Sequence, residues 1–312
     1  MKKINIGGMN ASQVALGIMR MNNKSKEDAA KAIEAAVESG INYIDTADIY
    51  GGGESSKRFK EALALTSIKR DDLYIQSKGG IVNPNGGDIP YGNRYDFSKQ
   101  HLIATVDAEL QRLGVDYLDA FLLHRPDTLM DPNEIAEAFN ELETAGKVRH
   151  FGVSNFNPMQ VELVQSAVSQ KLEFNQLQFG IMHTGMIDFG MHTNMFDDRS
   201  VNHDGEILEY SRLKDMTIQA WSPYQYGFFD GVFINNDKFP ELNKKMKEIA
   251  DIYGVTKNAI ATAWILRHPV KDQVILGSMN PTHIKESAAG GSVEITGQEW
   301  YDIYLAAGND LP

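Results

Sequence analysis

The chain has 312 residues, 42% of them hydrophobic, which is enough to bury a substantial core. Its formal net charge of −12 argues against a nucleic-acid partner, because phosphates require a basic surface. There is no cysteine, which excludes disulfides, thiolate catalysis and cysteine-based metal sites.

The amino-terminal segment carries no recognisable targeting signal. Residues 1–6 lack the long apolar core of a signal peptide, and no apolar run approaches membrane-spanning length. The eight histidines form no HExxH pattern. We therefore expect a cytoplasmic protein with neither a membrane nor a nucleic-acid partner.

Hydrophobic periodicity predicts a β-hairpin followed by eight units that each join a strand to a helix. The hairpin is predicted at residues 4–13. The eight strands are predicted at 14–20, 41–46, 72–78, 117–124, 148–154, 172–179, 217–222 and 272–276. Helices are predicted at 25–40, 54–65, 98–113, 133–145, 158–168, 206–213, 239–253, 256–267, 282–289 and 296–306. Long loops are predicted at 81–97 and 180–204.

This alternation of strands and helices implies a parallel sheet. Eight units over about 300 residues fit a closed (β/α)8 TIM barrel better than an open, doubly wound sheet. The GxGxxG turn that the open fold would need after its first strand is absent. No linker or change of composition interrupts the units, so we predict one domain over residues 1–312 with extra helices near its C-terminus.

Polar and aromatic residues close the predicted strands at one end. In a parallel barrel the carboxyl ends of the strands share one face, where active sites lie. Asp45 and Tyr50 follow the second strand, Lys78 ends the third and His124 ends the fourth. Each residue alone has an ordinary explanation as a cap, a packing group or a buried histidine. Their convergence from three successive strands on one mouth favours catalysis.

These four side chains suit the protonation of an oxygen atom. A phenol has a pKa near ~10, and a neighbouring ammonium that a carboxylate keeps charged lowers that pKa. Tyr50 is therefore the predicted proton donor, Lys78 and Asp45 tune it, and His124 donates a hydrogen bond to the same oxygen. No nucleophile is evident, so the reaction that fits is reduction of a carbonyl by a hydride from a cofactor.

Six short segments resemble the aldo-keto reductase family in their order and spacing, and the resemblance extends over nearly the whole chain. The segments are 45–51 (DTADIYG), 77–78 (SK), 122–127 (LLHRPD), 151–156 (FGVSNF), 174–176 (FNQ) and 220–223 (AWSP). The resemblance implies a (β/α)8 barrel whose bottom is closed by the N-terminal hairpin. It also implies NADPH-dependent reduction of aldehydes or ketones.

The resemblance further implies roles for individual residues. The catalytic tetrad of the family, with the tyrosine as general acid, is matched by Tyr50, Lys78, Asp45 and His124. The residues that hold the nicotinamide carboxamide are matched by Ser154, Asn155 and Gln176, and the ring that stacks on the nicotinamide by Trp221. Further cofactor contacts are implied for Gly17, Ile18, Met19, Arg20, Asp45, Ser222, Pro223, Tyr224, Tyr226, Gly227, Gly277, Ser278, His283, Glu286 and Ser287.

The segment after the last strand departs from the family pattern. The family commonly has Lys-Ser and then an arginine that grip the 2′-phosphate of NADPH, whereas this chain has Gly277-Ser278 and then His283. Loss of two cations weakens phosphate binding, although the start of the next helix and Lys285 remain available. We therefore expect NADP as the cofactor, with a weaker preference than usual and with NAD as a second candidate.

The two long loops are expected to form walls of the substrate pocket. The residues concerned are Tyr91, Arg94 and Tyr95 in the first loop and Phe189, His192, Met195 and Phe196 in the second. The histidines and aspartates of the second loop match no recurrent spacing, so no metal is predicted. A carbonyl reductase acting on a small molecule is the leading hypothesis. The alternatives are a nucleotide-binding regulatory or partner subunit with little turnover, and a metal-free isomerase or lyase.

Overall fold

A computed structural model of the chain describes residues 1–82 and 94–312. The strands, in chain order, are β1 (Lys3–Ile6), β2 (Met9–Ser12), β3 (Val14–Gly17), β4 (Tyr43–Asp45), β5 (Tyr74–Gly79), β6 (Ile81–Val82), β7 (Arg94–Tyr95), β8 (Leu118–Leu123), β9 (Val148–Ser154), β10 (Leu172–Gln178), β11 (Thr217–Trp221), β12 (Gln225–Tyr226), β13 (Gly231–Val232) and β14 (Asp272–Leu276). The helices are α1 (Lys26–Glu38), α2 (Glu54–Leu63), α3 (Lys99–Leu113), α4 (Pro132–Thr144), α5 (Pro158–Gln165), α6 (Gly185–Met191), α7 (Ile207–Leu213), α8 (Pro240–Tyr253), α9 (Lys257–Leu266), α10 (Pro281–Ala289) and α11 (Gly297–Ala306).

Eight of these strands close into a barrel. Their order is β3-β4-β5-β8-β9-β10-β11-β14, and β14 pairs back onto β3. Every neighbouring pair in the ring is parallel. Helices pack against one another along the ring, α1 on α2, α2 on α3 and α3 on α4. The predicted (β/α)8 barrel is confirmed, with α9 and α11 as the additional helices near the C-terminus.

The hairpin formed by β1 and β2 closes the N-terminal end of the barrel. Its apolar residues Ile6, Met9 and Ala11 are buried in one cluster with Tyr43 and Phe174 from the barrel strands. Burial of these side chains stabilises the hairpin against the strand starts, by about 1.5–3 kcal/mol for each large apolar side chain. The other end of the barrel, where the strands finish, carries the cavity described below.

Side-chain caps explain where several of the outer helices begin. Ser25 Oγ accepts a hydrogen bond from Asp28 N at 3.1 Å at the start of α1. Ser98 caps α3 in the same way, and Asn280 Oδ1 accepts from Thr282 N at 2.9 Å at the start of α10. Each cap satisfies a backbone N–H that has no partner inside its helix, and is worth about 1 kcal/mol.

Three predicted segments, one strand and two loops, differ from the structure. The first barrel strand ends at Gly17 rather than Arg20, because the chain turns there and Met21 N donates to Ile18 O at 2.9 Å. The segment 81–97 carries the paired strands β6 and β7 at its two ends, and the intervening residues, including Tyr91, lie outside the described residues. The segment 180–204 contains the helix α6.

The segment around α6 packs against the C-terminal end of the chain. Asp188 accepts hydrogen bonds from Tyr304 Oη at 2.6 Å and from Arg199 at 2.8 Å, and Arg199 also pairs with Asp310 at 2.7 Å. His192 Nδ1 lies 3.0 Å from Asp197. These ion pairs hold the segment in place and use four of the eight acidic and basic side chains of residues 180–204.

Neither a candidate metal site nor a membrane-spanning helix is found within residues 1–82 and 94–312. No group of three or more His, Cys, Asp or Glu side chains there could hold a metal ion. Over the same ranges, no helix is both long enough and apolar enough to cross a membrane.

Candidate active site

The ends of the barrel strands surround a cavity of about 840 Å³. Its lining includes the predicted site residues Gly17, Met19, Arg20, Asp45, Tyr50, His124, Ser154, Asn155, Gln176, Trp221, Ser222, Pro223, Tyr224, Gly277, Ser278, His283, Glu286 and Ser287. These residues come from the ends of seven of the eight barrel strands, and the barrel brings them to one mouth because all eight strands run in the same direction.

A buried ion pair forms the floor of the cavity. Lys78 Nζ donates to Asp45 Oδ1 at 2.7 Å and to the carbonyl oxygen of Thr46 at 2.7 Å. The lysine is fully buried, and burial alone would lower the pKa of its ammonium. The carboxylate of Asp45 and the phenol of Tyr50 together outweigh that effect, so the pKa of Lys78 is raised above its ordinary value of 10.5. The pair therefore keeps a charged ammonium directly behind the cavity wall, beside Tyr50.

Tyr50 stands beside this ammonium, whose nitrogen lies 5.1 Å from the centroid of the phenol ring. The ammonium lowers the pKa of the phenol, as predicted from the sequence, but it is not the largest influence on that pKa. Burial raises the pKa of Tyr50 above its ordinary value of 10.0 and outweighs the opposing charge of Lys78. The phenol is therefore protonated at neutral pH, which is the state that a proton donor needs.

The turn that carries Tyr50 depends on three glycines. Gly51, Gly52 and Gly53 have φ angles of 59°, 66° and 90°, and α2 begins at Glu54 immediately after them. Three successive left-handed residues are strained for any residue with a Cβ atom. At Gly51 a Cβ atom would also approach the Asn22 side chain within 2.7 Å. The glycines thus let the chain leave β4, present the phenol to the cavity and start a helix within nine residues.

His124 lies on the other side of Tyr50. The two ring centroids are 5.9 Å apart and the rings are nearly perpendicular, at 82°. Burial lowers the pKa of His124 well below 6.5, and the charges of Lys78 and Arg125 lower it further. The imidazole is therefore neutral and has one N–H to donate. Its Nδ1 atom is buried and has no hydrogen-bond partner among the described residues.

Amide and hydroxyl groups form the wall next to this floor. Asn155 Nδ2 donates to Ser154 Oγ at 2.8 Å, and its Oδ1 accepts from Trp221 Nε1 at 3.1 Å. Ser154 Oγ in turn donates to the carbonyl oxygen of Gln176 at 2.9 Å. Asn155 has a φ of 64°, a left-handed conformation that asparagine tolerates better than most residues. The hydrogen bonds fix the indole of Trp221 at the edge of the cavity.

The far end of the cavity lies between the end of β14 and the first turns of α10. Gly277, Ser278 and His283, three of the cofactor contacts that the resemblance implies, line this end. Arg20 reaches across from the turn after β3, and its guanidinium donates to the carbonyl oxygen of Gly277 at 3.3 Å. Lys285, considered as a phosphate ligand, points elsewhere and pairs with Glu38 of α1 at 2.8 Å.

Several predicted cofactor contacts do not line the cavity. Ile18 is fully buried, and its backbone N–H donates to the carbonyl oxygen of Asp45 at 2.9 Å. Tyr226 packs its ring 4.9 Å from Phe239, and the carbonyl oxygen of Gly227 accepts from Gln178 at 3.2 Å. Both residues belong to the short sheet of β12 and β13 and its turn, which the sequence reading did not predict. Lys78, a predicted catalytic residue, does not line the cavity either, although its partner Asp45 does.

The expected walls were also wrong for the second long segment. None of Phe189, His192, Met195 and Phe196 lines the cavity, because α6 and its neighbours pack toward the C-terminal end of the chain. Arg94 and Tyr95 do not line it either, whereas Ile81 from the same segment does.

Other lining residues were missed by the sequence reading. Arg125 follows His124 directly, and its guanidinium carbon lies 5.9 Å from the centroid of the Trp221 ring. The ring of Phe229 stacks on that of Trp221, with the two centroids 6.2 Å apart, and Phe228 lies beside Phe229. Arg125 could have been found from its place in the 122–127 segment. The phenylalanines carried no signal, because their turn was not predicted.

Together these features define a (β/α)8 barrel protein with a buried Asp–Lys pair, a tyrosine and a histidine at the carboxyl ends of its strands. The chain belongs to the aldo/keto reductase family, whose model matches residues 3–304. It is 33% identical to the uncharacterized oxidoreductase YcsN of Bacillus subtilis, over 96% of each chain. It is also 33% identical to a 6-dehydroglucose reductase of Agrobacterium fabrum, again over 96% of each. A Klebsiella pneumoniae aldo-keto reductase solved in complex with NADPH has the same fold, with a TM-score of 0.75 at 21% identity, covering 97% of this chain and 93% of that one.

Proposed function

We propose that this protein reduces an aldehyde or ketone with NADPH, using Tyr50 as the general acid. The observation that carries the proposal is the buried Lys78–Asp45 pair at 2.7 Å, set beside the protonated phenol of Tyr50 and the neutral imidazole of His124. Two donors that face one cavity suit a carbonyl oxygen that gains negative charge during reduction.

The polar and aromatic lining of the cavity suits a nicotinamide dinucleotide. Ser154, Asn155 and Gln176 offer hydrogen-bonding groups for a carboxamide, and Trp221 offers a flat apolar face for a ring. Pro281 has no backbone N–H and the Asn280 cap uses that of Thr282, so Ser278 and the backbone N–H of His283 are the groups offered to a phosphate at the start of α10. NADPH, when bound there, supplies the hydride, and this chain supplies the proton and the orientation.

The proton is held at the oxygen of Tyr50. Lys78 keeps a positive charge beside the phenol, which stabilises the phenolate left after the proton moves to the substrate oxygen. Asp45 keeps that lysine charged and fixed, and contacts neither partner of the proton transfer. His124, being neutral, donates a hydrogen bond without competing for the proton.

We propose hydroxylated aldehydes and ketones as the substrates to test first. The relative from Agrobacterium fabrum is named for 6-dehydroglucose, an oxidised sugar, and Arg125 beside aromatic Trp221 suits the polar groups and the apolar faces of such a molecule. NADPH oxidation should be followed with oxidised sugars, aromatic aldehydes and methylglyoxal. If the protein turns over none of these compounds, the reductase proposal is wrong.

Replacing Trp221 with alanine is expected to raise the Kd of NADPH about tenfold, because loss of an aromatic stacking face costs on the order of 1.5 kcal/mol. Titration of the protein with NADPH, followed by calorimetry, measures this change. The control is Trp221→Phe, which keeps a stacking face but loses the hydrogen bond to Asn155. An unchanged Kd in Trp221→Ala would rule out the stacking role.

Replacing His283 with arginine is expected to raise the preference for NADPH over NADH about tenfold. The exposed side chain lies in the first turn of α10, and a guanidinium there can form charge-assisted hydrogen bonds to a 2′-phosphate. The ratio of the two Kd values measures the preference. Lys285→Gln is the control, because Lys285 pairs with Glu38 and should not affect the ratio. A very large NADPH preference in the wild type would contradict the weakened preference expected from Gly277 and His283.

A further inference from the structure

Four glutamines lie inside the barrel beneath the cavity. Gln76, Gln176, Gln219 and Gln273 come from β5, β10, β11 and β14, and none is more than 2% exposed. Buried primary amides are costly unless their donors and acceptors are satisfied. Here the amides satisfy one another, and the connection ends at Asp45.

Asp45 fixes the direction of the connected hydrogen bonds. Its ionised Oδ1 can only accept, and it accepts from Gln76 Nε2 at 2.7 Å and from Gln176 Nε2 at 2.9 Å, in addition to Lys78 Nζ at 2.7 Å. Both glutamines must therefore turn their nitrogen atoms toward the carboxylate. A flipped amide would place its oxygen against a negative charge inside the barrel.

Gln219 extends this chain of hydrogen bonds further into the barrel. Its Oε1 accepts the second N–H of Gln76 at 2.9 Å and of Gln176 at 3.1 Å. Its Nε2 donates to Gln76 Oε1 at 3.0 Å and to Gln273 Oε1 at 2.8 Å. Gln273 Nε2 then donates to the carbonyl oxygen of Ser12 at 2.7 Å. Each amide has one orientation that satisfies its neighbours.

We infer that Gln219 is a positioning residue for the reaction, although it does not line the cavity. It holds Gln76 and Gln176 so that three donors converge on one oxygen of Asp45, which keeps the Asp45–Lys78 pair in place. Because both N–H bonds of Gln176 are used inside the barrel, Gln176 offers its Oε1 to the cavity. That oxygen can accept from the amino group of a carboxamide. Gln219 thereby connects the proton-donating side of the site with its nicotinamide side.

This inference rests on the proposed function, and Gln219→Met tests it, because methionine matches the size of glutamine but has no amide. We expect kcat to fall about tenfold and the Kd of NADPH to rise about tenfold, because Gln76 and Gln176 would lose the partner that orients their hydrogen bonds to the Asp45 carboxylate. The Kd of 2′-phospho-ADP-ribose, which lacks the nicotinamide, should change less than about twofold. A role in stability alone would not separate the two ligands.

Gln170→Met is the matched control. Gln170 is also a buried glutamine, and its Nε2 donates to Asn140 at 2.9 Å and to Glu143 at 2.7 Å, with no connection to Asp45. Both variants should lose a similar amount of thermal stability, but only Gln219→Met should lose NADPH affinity and kcat. Wild-type values of kcat and Kd in a folded Gln219→Met would overturn the inference, as would equal losses in the two variants.

Gln76→Met provides a second test should Gln219→Met not fold, since Gln76 bridges Gln219 and Asp45 directly. It carries the same expectation for kcat, and a wild-type kcat would overturn the inference. Failure of the inference remains distinguishable from failure of the proposed function. In the first case the wild type oxidises NADPH with a carbonyl substrate and the variants match it; in the second the wild type itself oxidises NADPH with none of the carbonyls tried.

Discussion

Tyr50→Phe is expected to lower kcat for carbonyl reduction by about 10³-fold, within the range that general acid catalysis contributes. The substitution removes only the phenol oxygen, so the ring stays in place beside His124 and Lys78. Affinity for NADPH should be nearly unchanged. Single-turnover oxidation of NADPH with an active aldehyde measures the chemical step, and a binding titration measures affinity.

The pH dependence of the wild type supports the same test. Because burial raises the pKa of Tyr50, the phenol stays protonated through the neutral range, and reduction should not decline until pH exceeds the ordinary phenol value of 10.0. If Tyr50→Phe and the wild type oxidise NADPH equally slowly with every carbonyl tried, the reductase proposal fails. A nucleotide-binding regulatory or partner subunit with the same fold would then be the better explanation.

Asp45→Asn is expected to lower both catalysis and stability. Removing one partner of a buried ion pair typically costs about 3–5 kcal/mol, because the remaining charge is left uncompensated. Lys78 would keep only neutral acceptors, the new amide oxygen and the carbonyl oxygen of Thr46, and burial would then lower the pKa of its ammonium. We expect kcat to fall about 100-fold, since the phenolate of Tyr50 loses its stabilising charge.

The stability effect has a defined dependence on pH. The pKa of Lys78 is raised in the folded state, so the stabilisation from this group is fully present below its ordinary value of 10.5. It is lost as the pH rises through the folded-state pKa. The difference in unfolding free energy between the wild type and Asp45→Asn should therefore be constant near neutral pH and should shrink in strongly alkaline solution.

Asp119→Asn is the matched control for this experiment. Asp119 is also buried in a barrel strand and pairs with Arg70 at 2.7 Å, but it lies near the start of β8, away from the cavity. Denaturant unfolding should show a loss of stability in both variants, whereas kcat should fall only in Asp45→Asn. Comparable kcat losses would mean that the effect of Asp45 is structural rather than catalytic.

Much of the fold could be predicted from local pattern. The strands β9 and β14 have the bounds predicted from the sequence, and Ser25 and Ser98 mark helix starts with their side-chain caps. Such signals are local, since they depend on residues a few positions apart. The helix α6, which was not predicted, belongs to a segment held by distant contacts, including the hydrogen bond from Tyr304 to Asp188.

The sequence by itself determined which four side chains would meet. Asp45, Tyr50, Lys78 and His124 each close a strand or follow its end, and parallel strands in a closed barrel must finish on one face. Only the tertiary structure decided their states. The pKa of Tyr50 rises because burial outweighs the nearby ammonium, and that balance depends on packing around the whole ring.

The glutamines show the same division. Each of Gln76, Gln176, Gln219 and Gln273 is an ordinary polar residue in its own strand, with nothing nearby in sequence to indicate a partner. Their amides meet only inside the closed barrel, where Gln76 and Gln219 are separated by 143 positions in the chain. Local sequence determines where a strand ends, but the direction of a buried amide is set by neighbours that only closure of the barrel brings within hydrogen-bond distance.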